Sequence, residues 1–254
     1  MITPTLRAWF EPASWSPEKT YDLIQKVTHT LGQVHPSLRQ WRDMQQAAKD
    51  KTAEFSDRET VLTRIRQGIA RAQQAYPTMP HVDSAELNVT NAVGSIKRQK
   101  PGCAIVSFKP WAGEVSLEMF DADLEGTIGP TAARKIFSQF LKAILDMLSP
   151  SFAATDVQSV RDEEEVIYQL DKKLFPHRQY FGWMGFVPTE LSHAQIRDAD
   201  EMIAVPGKGT IIVTVPGLFD PTDAAQVEQV HRVEMQLAHY NLLRVTDPDV
   251  RDAP

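Results

Sequence analysis

Turn and capping signals divide this chain into short segments, and the hydrophobic period of these segments switches irregularly between helical and extended. Four helix starts are marked by an N-cap residue, a capping box or a Gly-Pro pair, at residues 16–17, 56–59, 129–130 and 220–223. The repeated strand–helix–strand rhythm of a doubly wound parallel sheet is missing. The pattern therefore predicts an α+β fold, with largely antiparallel sheets packed against about five helices.

The fifth helix is expected over residues 161–174, where apolar side chains recur at helical spacing. The helix after Pro130 is apolar on more than one side, which indicates a central position. Strands are expected wherever short β-branched or alternating runs lie between turn signals. These runs are 6–10, 87–93, 104–108, 115–120, 152–160, 182–187, 202–205 and 210–215.

The chain has 254 residues, and we expect a single domain over 1–254, or two α+β halves, 1–125 and 126–254. The single cysteine, Cys103, excludes an internal disulfide, and at the start of an apolar strand we expect it to behave as a small hydrophobic residue. The sequence has no apolar run of membrane-spanning length and no signal-peptide pattern. We therefore expect a cytoplasmic protein without a membrane partner.

Charge is distributed unevenly. Residues 1–150 carry 18 Lys+Arg and 16 Asp+Glu, a balance of +2, whereas residues 151–254 carry 9 and 17, a balance of −8. An acidic half disfavours direct nucleic-acid binding and would attract a basic partner, although it can equally serve as a solvated surface.

No catalytic motif emerges from the sequence, so we expect no enzymatic activity and no cofactor. A serine elbow, a helical zinc motif and a phosphate loop are all missing. Asp121, Asp123 and Glu125 could hold a divalent cation, but a polar turn at a strand end is favoured. His231 and Glu234 share a helix face, and they supply too few ligands for a stable metal site. We expect them to form an exposed polar pair.

One charge run stands out, formed by Asp162, Glu163, Glu164 and Glu165. In the first turn of the expected helix 161–174, these carboxylates would stabilise the positive end of the helix dipole. The same run could present phosphate-like charge to a basic partner, and the two roles are compatible. These four residues are therefore the candidate partner-binding segment.

A motif order in the second half resembles a known family. A helix ends and a strand begins within residues 148–153, and the acidic run follows. Next come the segment with Gly182, Trp183 and Met184 and the strand that begins at Gly209. A final helix over 223–237 and the ending 241–243 complete the order. This order resembles the immunity protein 52 family of bacterial polymorphic toxin systems. The family has an aromatic residue soon after the methionine; Gly185 departs from this, and Phe186 can take its place.

The resemblance implies an inhibitor that binds and blocks one cognate toxin, commonly a restriction-endonuclease-like nuclease delivered by type VI secretion. It carries over no catalytic residue, and it implies core packing for Trp183 and Met184. A nuclease must hold a basic channel for its substrate, which an acidic inhibitor would suit. Two alternatives stay open: a cytoplasmic adaptor or chaperone for an effector, and a metal-dependent hydrolase with an unrecognised site.

Overall fold

The computed structural model describes residues 1–44, 53–92, 100–124 and 126–247. Over these ranges a ten-stranded sheet packs against four α-helices. The helices are α1 (Pro17–Val34), α2 (Arg58–Ala75), α3 (Pro130–Leu145) and α4 (Ala224–His239). The strands are β1 (Ile2–Trp9), β2 (Arg42–Asp43), β3 (Leu87–Thr90), β4 (Ala104–Lys109), β5 (Glu114–Met119), β6 (Phe152–Arg161), β7 (Glu164–Ile167), β8 (Met184–Val187), β9 (Glu201–Val205) and β10 (Gly209–Val213).

The sheet order is β2-β3-β4-β5-β1-β6-β8-β10-β9, and β7 pairs with β6. Every pairing between these strands is antiparallel. Strand β1 lies between β5 and β6, so that Leu6 faces Leu117 on one side and Thr155 on the other. The sheet thus runs without a break from the first half of the chain into the second. The expected α+β class with antiparallel pairing is confirmed.

Burial differs between the two ends of the sheet. Strands β4 and β5 alternate buried and half-buried residues, which is the pattern of a sheet covered on one face. Strands β8 and β10 are buried along their whole length, which requires cover on both faces. Helix α3 reaches this region through the Phe137 ring beside Trp183, and α4 reaches it through Glu234.

The helix starts follow their capping signals closely. The Ser16 hydroxyl accepts from the Lys19 amide at 3.2 Å, with Pro17 in the first turn of α1. Helix α2 is capped by Asp57, one residue after the expected Ser56, because the Asp57 carboxylate accepts from the Thr60 amide. Asp223 caps α4 by accepting from Ala225 at 2.9 Å.

The expected helix over 161–174 is wrong. Residues up to Arg161 belong to β6, a turn follows, and Glu164–Ile167 form β7; only Tyr168–Lys172 are helical, as a short π-helix. Pairing explains the difference, because β7 lies in register against β6, with Val166 opposite Ser159. Long-range strand pairing therefore overrides a helical spacing that rests on few apolar residues. The sequence patterns also do not predict the short strands β2 and β7.

Gly185 in β8 lies where β6 approaches most closely. A Cβ atom at this position would overlap the Ala153 carbonyl oxygen and lie 2.8 Å from the Phe181 ring. An aromatic residue has no space at position 185, and the aromatic residue that follows Met184 is Phe186, which is buried. The close packing of β6 on β8 depends on the missing side chain.

We predict that Gly185→Ala lowers the free energy of unfolding by about 1–3 kcal/mol, because backbone must shift to admit the methyl group. Urea unfolding of the purified proteins measures this difference. Gly217→Ala is the matched control, since a Cβ atom there meets no heavy atom within 4 Å. Equal midpoints for the two variants would contradict the proposed steric cause.

Candidate partner-binding site

The four carboxylates Asp162, Glu163, Glu164 and Glu165 form the end of the β6–β7 hairpin, which we call the acidic tip. Arg161 pairs with Glu164 across the hairpin, leaving Asp162 and Glu163 as a two-residue turn. Both turn residues have positive φ, 48° and 68°, as in the tight turns that match the twist of a hairpin. All four residues are exposed. The acidic tip is therefore held on paired strands and projects into solvent.

Little positive charge neutralises the acidic tip. The nearest cation along the chain, Arg161, is directed to the Asp220 carboxylate. Glu165 accepts a hydrogen bond from the Gln158 side chain. Asp162, Glu163 and Glu164 form no ion pair with any part of the chain that the structure describes. All four carboxylates therefore face solvent, and none has a counter-charge in the part of the chain that the structure describes.

This placement corrects the expected location of the acidic run. The residues do not begin a helix, so the helix dipole does not account for their charge. Since strand β7 starts at Glu164, the run gains nothing from a helix N-terminus. The structural explanation for the run is thereby weakened, and its interpretation as a partner-binding segment stays a prediction.

An open depression of about 560 Å³ lies next to Arg161 and is lined by further carboxylates. Asp123, Asp220 and Asp223 all border it, with Arg161 as the single cation among its lining residues. These carboxylates also have local structural roles. Asp220 accepts from the Thr222 amide, and Asp223 caps α4, where hydrogen bonds from the Gln226 amide lower its pKa. The acidic surface thus extends beyond the tip itself.

The other residues singled out by the family resemblance are buried. Trp183 is fully buried, its ring centroid lies 5.4 Å from that of Phe137, and its indole Nε1 donates to the Gly217 carbonyl at 2.7 Å. Met184 is also fully buried and starts β8. Neither side chain can contact a partner on the surface, in agreement with the expected packing role.

Gly182 and Gly209 allow the backbone of a neighbouring strand to pack closely against them. Gly182 has φ +68°, and a Cβ atom there would overlap the Thr155 carbonyl oxygen. Gly209 has φ +147°, and a Cβ atom there would overlap the Val187 carbonyl oxygen. In both places a neighbouring strand occupies the space that a side chain would need.

Glu234 is the buried polar group that the sequence does not reveal. The sequence predicts an exposed residue, but Glu234 is 1% exposed, and its carboxylate accepts from the Phe181 amide at 2.7 Å and the Gly182 amide at 3.2 Å. His231 does not join it, because its Nε2 lies 2.7 Å from the Lys172 carbonyl. The expected exposed pair is therefore wrong. One sequence signal could have indicated that Glu234 is buried, because it lies on the helix among the apolar residues Val230, Val233 and Leu237.

Burial raises the pKa of Glu234, and the two amide hydrogen bonds oppose this shift. Burial likewise raises the pKa of the nearby Tyr168 hydroxyl, and the Glu234 charge adds to the effect. The hydrogen bonds from the Phe181 and Gly182 amides to Glu234 stabilise the buried backbone just before β8. This arrangement places no nucleophile beside an open pocket, and we assign it a structural role.

The candidate cation cluster is only partly described, since Glu125 lies outside the described residues. Asp121 and Asp123 lie in the turn after β5, where Asp123 accepts from the Ile2 amide at 3.0 Å. Burial, followed by the neighbouring Asp123, raises the pKa of Asp121. Over 1–44, 53–92, 100–124 and 126–247, no three His, Cys, Asp or Glu residues are grouped to hold a metal ion.

Comparisons with known proteins find limited similarity. No protein-family model matches the chain, and no curated protein matches it. Among solved structures, the T6SS protein PA0821 of Pseudomonas aeruginosa matches with a TM-score of 0.46 and 12% identity, covering 92% of this chain and 72% of that one. At this level the likeness carries no information about function. No helix in the described ranges is long and apolar enough to cross a membrane.

We predict that Trp183→Ala lowers the free energy of unfolding by about 3–5 kcal/mol, through lost apolar burial and the cavity left behind. Thermal and urea unfolding measure the loss. Trp183→Phe, which keeps an aromatic ring beside Phe137, should lose less. A melting curve of Trp183→Ala that overlays the wild-type curve would contradict the packing role.

We also predict a pH-dependent difference between the wild-type protein and Glu234→Gln. Because the pKa of Glu234 is raised above its ordinary value of 4.5, its contribution to stability is fully present below that pH and is lost as pH rises through the folded-state pKa. The glutamine variant cannot ionise. Wild-type stability should therefore fall relative to Glu234→Gln in urea unfolding from about pH 4 to about pH 8. Parallel profiles would contradict this.

Proposed function

We propose that the protein is a non-enzymatic immunity protein that binds and neutralises a cognate secreted, nuclease-type toxin and so protects the producing bacterium. The observation that carries the proposal is the acidic tip, which presents four carboxylates without ion-pair partners among the described residues, on a paired hairpin. Such a surface fits a partner with a basic substrate channel, because the channel must attract phosphates. The protein itself would act in the cytoplasm, without binding nucleic acid or membrane.

Electrostatic capture would account for the position of the tip. Exposed carboxylates that project from the body can steer a basic partner during diffusional encounter. The neighbouring depression, with Asp123 and Asp220 in its lining, would extend the attractive surface. A hairpin with paired strands also loses less conformational entropy on binding than a mobile loop does. The tip is therefore suited to fast association.

The type VI secretion setting and the nuclease class of the toxin come from the family resemblance at Gly182, Trp183, Met184 and Gly209. All four residues occupy buried or closely packed positions. The secretion route and the nuclease class are properties of the toxin, so testing them requires the toxin itself.

Growth of cells that co-express the protein with its cognate toxin tests the proposal directly. An immunity protein restores growth, whereas an adaptor or chaperone leaves the toxin active. Metal-dependent turnover by the purified protein alone, lost on changing Asp121 or Asp123, would instead favour a hydrolase. Inhibition of toxin cleavage in a purified mixture distinguishes binding with neutralisation from binding alone.

We predict that reversing Glu163, Glu164 and Glu165 to lysine slows association with the toxin several-fold at low salt, with a smaller effect on dissociation. The wild-type on-rate should fall as salt rises, because added ions screen exposed charges. Surface-based kinetic measurements over a salt series give both rates. Since the three residues are exposed, circular dichroism and the melting temperature should change little.

A second triple reversal, at Glu11, Asp22 and Glu59, is the charge-matched control, because these exposed carboxylates lie in the first half and change the net charge equally. Asp22 and Glu59 lie beside Arg58, so circular dichroism checks the folding of this variant as well. It should retain most of the wild-type on-rate. If the tip variant is folded and keeps both the wild-type on-rate and its salt dependence, the tip takes no part in capture. The interface would then lie elsewhere, for example at the apolar pocket of about 420 Å³ beside Trp111.

A further inference from the structure

Strand β9 forms one edge of the ten-stranded sheet and has an open outer side. It pairs with β10 from Glu201 opposite Val213 to Val205 opposite Gly209. Outside β10, no described residue forms a hydrogen bond with the backbone of residues 201–204. Ala204 in this strand is exposed, and Met202, Ile203 and Val205 are only half-buried. The outer side therefore offers a row of unused backbone donors and acceptors.

The devices that usually protect such an edge are missing from β9. Natural edge strands are made very short, bulged, or interrupted by lysine or proline. The opposite edge of the sheet follows this rule, since β2 has only two residues. Strand β9 has five residues in regular pairing, and its proline and lysine, Pro206 and Lys208, come only in the turn that follows. Its sequence is apolar apart from Glu201.

We propose that β9 pairs antiparallel with β9 of a second copy of the chain, joining two sheets across a two-fold axis. In a register centred on Ile203, Met202 of each copy lies opposite Ala204 of the other, and the two Ile203 side chains meet. A large side chain thus faces a small one, and two β-branched side chains form a cross-strand pair. The proposal is independent of the proposed function.

Charge at the two ends of the strand favours a second copy over an arbitrary strand. Asp200 and Glu201 precede β9 or begin it, and they share a single cation, Arg134. Lys208 follows at the other end, in the turn to β10, where its ammonium group also donates to the Leu145 carbonyl. Antiparallel pairing places the acidic end of each copy beside the basic end of the other. The same complementarity occurs twice, as two-fold symmetry requires.

The expected association is weak. A pair of five-residue strands buries less than the roughly 1,200–2,000 Å² of a stable interface. We therefore expect a concentration-dependent dimer with a dissociation constant in the micromolar range. Sedimentation velocity of the full chain from low micromolar to submillimolar concentration should show a shift from monomer to dimer. Hydrogen exchange of the 201–205 amides should slow over the same range.

Charged variants at Ala204 make the test specific, because in this register the two Ala204 residues are diagonal neighbours across the interface. Ala204→Lys should stay monomeric at all concentrations, since two like charges would be brought together. Mixing Ala204→Lys with Ala204→Glu should restore dimers in the mixture. The melting temperatures of both variants should match that of the wild type, because Ala204 is exposed.

Ala70→Lys, which changes an exposed alanine on α2, is the matched control and should dimerise like the wild-type chain. A wild-type protein that remains monomeric at the highest concentration would overturn the proposal. A dimer that persists undiminished in Ala204→Lys would overturn it as well, since the interface would then lie elsewhere. Slowed exchange of the 201–205 amides only on addition of the toxin would assign the edge to the partner instead.

Discussion

The buried carboxylate of Glu234 holds α4 to the sheet at the point where most of the second half converges. It accepts the amide hydrogens of Phe181 and Gly182, which lie just before β8 and do not use these groups in strand pairing. Removing it would leave two buried donors unpaired, at a cost of about 1–3 kcal/mol each. An ionisable side chain is tolerated in the interior here because the backbone amides supply hydrogen bonds that water would otherwise provide.

The segment 181–184, which Glu234 holds in place, is bonded in turn to β6 and to the chain that follows β10. The Thr155 amide donates to the Phe181 carbonyl, the Trp183 indole reaches Gly217, and the Thr214 amide donates to the Trp183 carbonyl at 2.9 Å. Thr155 belongs to β6, whose other end carries the acidic tip. The tip is therefore an extension of a strand that is paired with β1 and fixed at its base by the 181–184 segment. That continuity is what makes the hairpin a defined surface for a partner.

Two surfaces of the molecule thus offer different chemistry. The acidic tip offers charge, which acts at a distance and sets association rates. The β9 edge offers backbone hydrogen bonds, which act only on contact and demand an extended strand. The two lie at different places in the sheet order, the tip on β6 and β7 and the open edge on β9.

The sequence by itself determined the α+β class, the four long helices and the buried role of Trp183, because local capping, periodicity and apolar character decide them. It did not determine the conformation of residues 161–167. Instead of forming the expected helix, these residues end β6, form a turn and pair with β6 as β7, so the acidic run lies at a hairpin turn. Nor did it reveal Glu234, since helical spacing shows which residues share a face but not that the amides of Phe181 and Gly182 lie opposite. Only the tertiary structure decides such points, because they depend on partners distant in the chain.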